Sequence, residues 1–214
     1  CEPGSMLGSH INDFTDDEGR RAVREYMCRR EKGLREVHDF RFVRRDGSLL
    51  DALVSANQLI DEQGHVVGSI AMVTDITDRK RTESVMAARM RLLQFAATHT
   101  LDELLEATLD EAERLTGSVI GFYHFLEPDQ KTLSLQNWST GTKKEYCKAE
   151  GKGRHYDVSA AGVWVDCIHE RRPVIHNDYA SLPHRKGLPP GHAPLIRELV
   201  VPVFRGENIV AILA

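Results

Sequence analysis

Cysteine and histidine carry the reactive side chains of this sequence, four of the first and ten of the second. Cys1, Cys28, Cys147 and Cys167 are widely scattered, so they form neither a C-x-x-C metal pair nor a disulfide framework, and a reducing, cytoplasmic setting is expected. Cys147 stands in "KKEYCKAEG" between basic residues, where a thiolate is favoured. Cys167 shares a side with Trp164 and Ile168 and reads as a small core hydrophobe. His124, His155, His169, His176, His184 and His192 crowd the second half without zinc spacing, so they read as surface, loop and core residues and no metal set is expected. The carboxylate pairs Asp16-Asp17 and Asp61-Glu62 fall at a helix start and a turn, where solvated charge is the ordinary choice. There is no G-x-x-x-x-G-K loop, and "GKGRH" (151–155) follows no strand. With no catalytic constellation, this stretch is expected to sense or bind, and any catalysis to lie outside it.

The elements that position these residues follow from composition and periodicity. The chain has 214 residues, 41% of them hydrophobic, and a net charge of -4: two small domains, with no basic field for nucleic acid. No apolar run approaches the roughly 18 residues of a membrane span. The chain opens on Cys1 and closes on the strand-like "NIVAILA", which reads as a segment of a longer protein. "FTDDEGRRAVREYMCRREKG" predicts a helix with Thr15 as N-cap, Glu18 three residues on and Gly33 at its end. Strands are expected over 37–44, 49–59 and 66–74, joined by "RRDGS" and "DEQGH", with Asp46-Gly47 as a hairpin signal.

"VTDITDRKRTE" (73–83) is a polar junction between the last of these strands and a helix over 79–99. Met86, Met90, Leu93 and Ala97 make a stripe on that helix, with Val85, Leu92 and Ala96 beside it. Such a seam predicts a partner, either the next domain's own helix or a second copy of the chain in a parallel coiled coil. "TLDELLEATLDEAERLTG" then predicts a helix with a Thr100/Glu103 capping box and Gly117 at its end. Strands over 119–126 and 132–138 flank the turn "EPDQ", and an irregular stretch runs to about 157. "SAAGVWVDCIHERR" predicts a helix capped by Ser159, followed by a short strand "PVIH", a Pro/Gly-rich loop and a closing hairpin, "ELVVPVFRGENIVAILA".

Two resemblances emerge from these stretches. "FRFVRRDGSLLDALVSANQLIDEQGHVVGSIAMVTDITDRKRTE" resembles the C-terminal half of a PAS domain, ending in the triplet Asp75, Ile76, Thr77 that joins PAS sheets to output helices. Residues 100–214 resemble a GAF domain by their order of elements, and "ELVVPVFRGENIVAIL" its core hairpin. The resemblance implies an α+β fold: PAS-like (1–78) and GAF-like (100–214) antiparallel sheets with flanking helices, joined by a linker helix (79–99), each domain incomplete. At the junction, Asp75 and Thr77 can bond backbone at the strand exit, so strain in the sheet would change how the helix leaves.

The GAF resemblance further implies a pocket lined by Trp138, Tyr146, Tyr156, Trp164 and the loop "NDYASLPHRKG", suited to a planar small-molecule ligand, with Arg185 and Lys186 available to an anionic group. Some GAF sensors hold haem, which here implies Cys147 as a thioether attachment and His192 as an iron ligand; the C-x-x-C-H motif is missing. Bilin attachment is disfavoured because Ile168 separates Cys167 from His169. The expected function is a cytoplasmic, non-catalytic sensory segment of a prokaryotic signalling protein, such as a sensor histidine kinase, dimeric through the linker helix and without nucleic-acid or membrane contact. The alternatives are a thiol-dependent reductase fragment using Cys147 and Cys167, and a ligand-free dimerisation module.

Overall fold

Gly47 sits at φ +80° and lets the backbone reverse between Arg44 and Ser48, so the first two strands pair as the Asp-Gly signal predicts. The computed structural model describes residues 3–31, 36–146, 155–186 and 194–214, and the chain divides into two compact units, Cys1–Val85 and Met86–Ala214. In the first unit, α1 (Asp17–Glu31) precedes an antiparallel meander of β1 (Val37–Val43), β2 (Leu49–Ile60) and β3 (Val66–Asp75). Val23 of α1 packs with Phe40, Ala52 and Val54, and the Tyr26 ring stacks on His38 at 3.5 Å. The cap of α1 differs from expectation. Asp16 Oδ1 accepts the Gly19 N–H at 2.7 Å, whereas Thr15 is buried and its hydroxyl donates to the Asn12 carbonyl at 3.2 Å. The carboxylate one position closer to the orphan amides takes the capping role. Gly33, the expected helix end, lies outside the described residues.

The helix α2 (Thr77–Ala96) begins two residues earlier than its periodicity suggested and ends before Ala97, which already lies in a turn. The second unit continues with α3 (Leu101–Thr116), where Thr100 and Glu103 form the expected capping box and Gly117 closes the helix at φ +70°. Among the described residues its antiparallel sheet has six strands in the order β6-β5-β4-β9-β8-β7, built from β4 (Phe122–Leu126), β5 (Thr132–Trp138), β6 (His155–Asp157), β7 (Val174–His176), β8 (Glu198–Arg205) and β9 (Asn208–Leu213). One face carries the core of Leu126, Leu133, Val158, Val165, Cys167, Val174, Val200, Ile209 and Ile212. The opposite face carries α3, joined through Asn137 Nδ2 to the Asp102 carbonyl at 3.1 Å and the Thr140 amide to Asp110 at 2.8 Å.

The helix expected from Ser159 is not continuous. Two 3-10 turns (Val158–Ala160 and Val163–Val165) lead into the short α4 (Asp166–Glu170), and Asp157, not Ser159, supplies the first cap, accepting the Ser159 N–H at 2.7 Å. Extended backbone at Ala161 (φ -75°, ψ 165°) and Gly162 (φ -81°, ψ -162°) interrupts the helix, because glycine at this point removes the propensity that would carry it through. Among the described residues, no helix is long and apolar enough to cross a membrane.

Candidate functional site

The strand-to-helix junction of the first unit is held by a set of polar bonds. Thr77 Oγ1 accepts the Asp51 N–H at 3.1 Å and approaches the Asp51 carbonyl at 3.4 Å, while the Ile76 N–H donates to that carbonyl at 2.9 Å. Asp75 Oδ1 accepts the Thr77 N–H at 2.9 Å and its Oδ2 takes Arg44 at 3.0 Å. Hydrogen bonds from Thr77, then the Arg44 guanidinium, hold the Asp75 carboxyl below its ordinary value. Ile76 and Thr77 are buried. Three residues after Thr77, Lys80 Nζ lies 2.7 Å from Asp39 on β1, so the first turn of α2 is bonded to both other strands of the sheet. The start of α2 is thus hydrogen-bonded to the backbone of β2 at Asp51.

Along α2, Val85, Met86, Met90 and Leu93 are exposed, whereas Ala88 is buried and Arg91 forms a bidentate pair with Glu111 of α3 at 2.7 and 3.0 Å. The apolar stripe read from the sequence thus faces away from the side that contacts α3. Arg91, followed by Arg114, holds the Glu111 carboxyl down at about 2.

In the second unit, β4 alternates Phe122, His124 and Leu126 toward the core face with Tyr123 and Phe125 toward α3. Trp138 pairs with Phe122 across β4 and β5, and Trp164 meets Phe122 edge-on at 5.7 Å and lies tilted over His124 at 4.7 Å. Burial pushes His124 down to about 3, so its imidazole is neutral. Of the expected pocket residues, the structure gathers Trp138 and Trp164 on this aromatic face. Tyr146 ends a single π-type turn, Thr142–Tyr146, beyond β5, Tyr156 stands opposite Leu133 in the β5–β6 register, and Arg185 is exposed in the segment after Tyr179–Ser181. Cys147 and His192 lie outside the described residues. Phe122 was not foreseen, since a lone aromatic in a strand carries no signal until its register is known. Cys167 is fully buried, its thiol pushed up to about 12 by burial and then by Asp166 and Glu198.

A further group forms at the β7–β8 edge of the same face. Asp166 Oδ2 lies 2.7 Å from His184 Nε2 and 3.3 Å from His176 Nε2, and His176 Nδ1 lies 2.8 Å from Glu198 Oε1. Sequence spacing gave no hint of this set, because its members come from a helix start, two strands and a turn.

Residues 98–214 match the GAF domain family and residues 2–78 the PAS domain family, both of them sensory and non-catalytic. The methyl sulfide methyltransferase-associated sensor of Methanosarcina acetivorans is 35% identical over 215 residues, covering 97% of this chain and 21% of that protein. The chain thus spans about a fifth of that relative's length. Among solved structures, the GAF domain of a Coxiella burnetii phosphoenolpyruvate-protein phosphotransferase is 13% identical with a TM-score of 0.49, covering 62% of this chain and 76% of that one. The chromophore-binding domain of Stigmatella aurantiaca phytochrome P1 is 14% identical with a TM-score of 0.45, covering 98% and 75%. With more than half of its length matched by the GAF family and the preceding residues by the PAS family, the chain belongs to the GAF domain family and is a PAS-GAF sensory segment.

Proposed function

We propose that this segment senses a small planar ligand on the core face of the GAF sheet and works with the PAS unit to set the state of α2 in a longer prokaryotic signalling protein. The proposed parent is a cytoplasmic sensor histidine kinase, dimeric through α2. The observation that carries this reading is the bonding of Thr77 to both backbone groups of Asp51, which makes the exit of α2 a part of the PAS sheet. The exposed Val85, Met86, Met90 and Leu93 support pairing with a second copy, since that stripe left in water is a standing apolar cost. The relative named as a methyltransferase-associated sensor supports a sensory role for the whole protein.

Register tests the relay. Two residues inserted near Arg89 in the intact protein rotate the seam by about 200°, at roughly 100° per residue, and should invert or abolish output, whereas seven are tolerated. Autophosphorylation is the readout. Equal output from both insertions overturns the relay, and no phosphate incorporation in any form overturns the kinase assignment.

For the pocket, Trp138, Tyr146, Tyr156 and Trp164 are the proposed walls and Arg185 the anion partner. Hemin is the first probe because Cys147 and His192 offer a thiol and an imidazole to it. A Soret band that shifts in His192→Ala supports haem, and haem retained in acidified solvent supports the Cys147 link. Absence of any band removes haem from the reading.

A further inference from the structure

The Asp166, His176, His184 and Glu198 group has a donor arrangement that an ordinary surface ion pair does not need. Glu198 and His176 are 7% and 12% exposed at their side chains, Asp166 is 19% and His184 is 53%, so the group is anchored inside and open only at His184. Burial raises the Glu198 carboxyl and the His176 contact opposes that rise; with Glu198 ionised, its oxygen can only accept, and the contact at 2.8 Å places the Nδ1 proton of His176 on the Glu198 side. The Nε2 lone pair of His176 then points at Asp166 Oδ2 at 3.3 Å, and His184 Nε2 converges on the same oxygen at 2.7 Å. Two imidazole nitrogens converge on one carboxylate oxygen that can only accept, so either a proton on each Nε2 or a metal ion among the three atoms satisfies the contact. A single doubly charged ion replaces both protons and leaves the four residues neutral overall.

The geometry points to a metal ion: we propose that Asp166, His176 and His184 bind one divalent transition-metal ion, with Glu198 fixing the tautomer and orientation of His176. The three ligand atoms already lie within 4.8 Å of one another. Bonds of about 2.0–2.2 Å in a tetrahedral site set ligand atoms roughly 3.3–3.6 Å apart, so the Asp166–His184 pair at 2.7 Å must open slightly, while the Asp166–His176 pair at 3.3 Å already fits. The exposed His184 side chain can supply that movement, while the buried pair stays fixed. The Glu198–His176 contact is the carboxylate–histidine pairing that orients metal-bound imidazoles. Two imidazoles and one carboxylate suit zinc and its first-row neighbours rather than calcium or magnesium, whose sites are built of oxygens. With three protein ligands, one coordination position remains for water or an incoming ligand. The ion would tie the start of α4 and the end of β7 to the segment after Tyr179–Ser181, so that segment's placement would depend on metal.

The test uses the untagged chain stripped with a chelator and dialysed. Cobalt(II) titration should give visible d–d absorption of a tetrahedral nitrogen–oxygen site, without sulfur charge transfer, saturating at one ion per chain and displaced by zinc. His184→Ala, at the exposed corner, should keep the circular dichroism of the parent and lose affinity by more than the about 10–100-fold expected for Glu198→Gln. His169→Ala, a nearby exposed imidazole, should bind as the parent does. Absence of saturable binding, or binding unchanged in both His184→Ala and Asp166→Asn, overturns the proposal and leaves the group as a proton-held network. Charge-transfer absorption lost on thiol alkylation overturns it equally, by moving the ion to cysteine.

Discussion

Replacing Thr77 by valine keeps the shape of the side chain and removes only the hydroxyl that accepts the Asp51 N–H at 3.1 Å. The Asp51 carbonyl keeps the Ile76 N–H at 2.9 Å, so one donor is orphaned and the acceptor is not. At 9% exposure for Thr77, water reaches that donor poorly, and stranding a buried donor costs about 1–3 kcal/mol. For a unit of this size, each kcal/mol lowers the melting temperature by about 4–8 °C. Both tryptophans, Trp138 and Trp164, belong to the second unit, which allows the two units to be followed separately. Far-UV circular dichroism should therefore show a transition moved several degrees down in Thr77→Val, while the tryptophan fluorescence transition stays in place. Thr77→Ser, which keeps the hydroxyl, should recover most of the loss. A Thr77→Val melt within about 1 °C of the parent by circular dichroism would refute the view that this hydroxyl fastens α2 to the sheet.

Glu111 loses its proton far more readily folded than unfolded, near 2 against an ordinary 4.5, so its contribution is present above about 4.5 and fades as pH falls toward 2. Glu111→Gln should therefore be less stable than the parent in urea at pH 7, with the gap narrowing by about pH 3; a gap independent of pH would show that the Arg91 and Arg114 contacts do not stabilise the folded state. Exposed Cys28 should take up iodoacetamide in the native chain, whereas Cys167, fully buried with its thiol near 12, should react only in urea. Native labelling of Cys167 at the Cys28 rate would revive the thiol-reductase alternative. Leu109, 1% exposed on the sheet-facing side of α3, should cost about 2–5 kcal/mol as alanine, read from urea unfolding followed by tryptophan fluorescence. A loss under about 1 kcal/mol would show that α3 is not seated on the sheet as described.

Much of the architecture was legible in residue order because it rests on local signals. Asp46-Gly47 sets a hairpin through one positive φ, Thr100 with Glu103 closes a capping box within a single turn, and period-2 and period-3.6 patterns separate the strands from α2 and α3. Local competition is where the reading slipped: Asp16 displaced Thr15 as a cap, and extended backbone at Ala161 and Gly162 split a helix that periodicity would have continued. The sites followed a different rule. Asp75 and Thr77 were readable as a junction, but their partner Asp51 lies 26 residues from Thr77 and becomes adjacent only when β2 and β3 pair. Phe122 and His124 joined Trp164 through strand register and the packing of the 3-10 turn at Val163–Val165, neither of which a single sequence encodes as spacing. Asp166, His176, His184 and Glu198 are the extreme case. Each is unremarkable in its own stretch, and only the edge of a folded sheet brings their polar atoms into one small volume, because tertiary contacts join residues without regard to sequence interval.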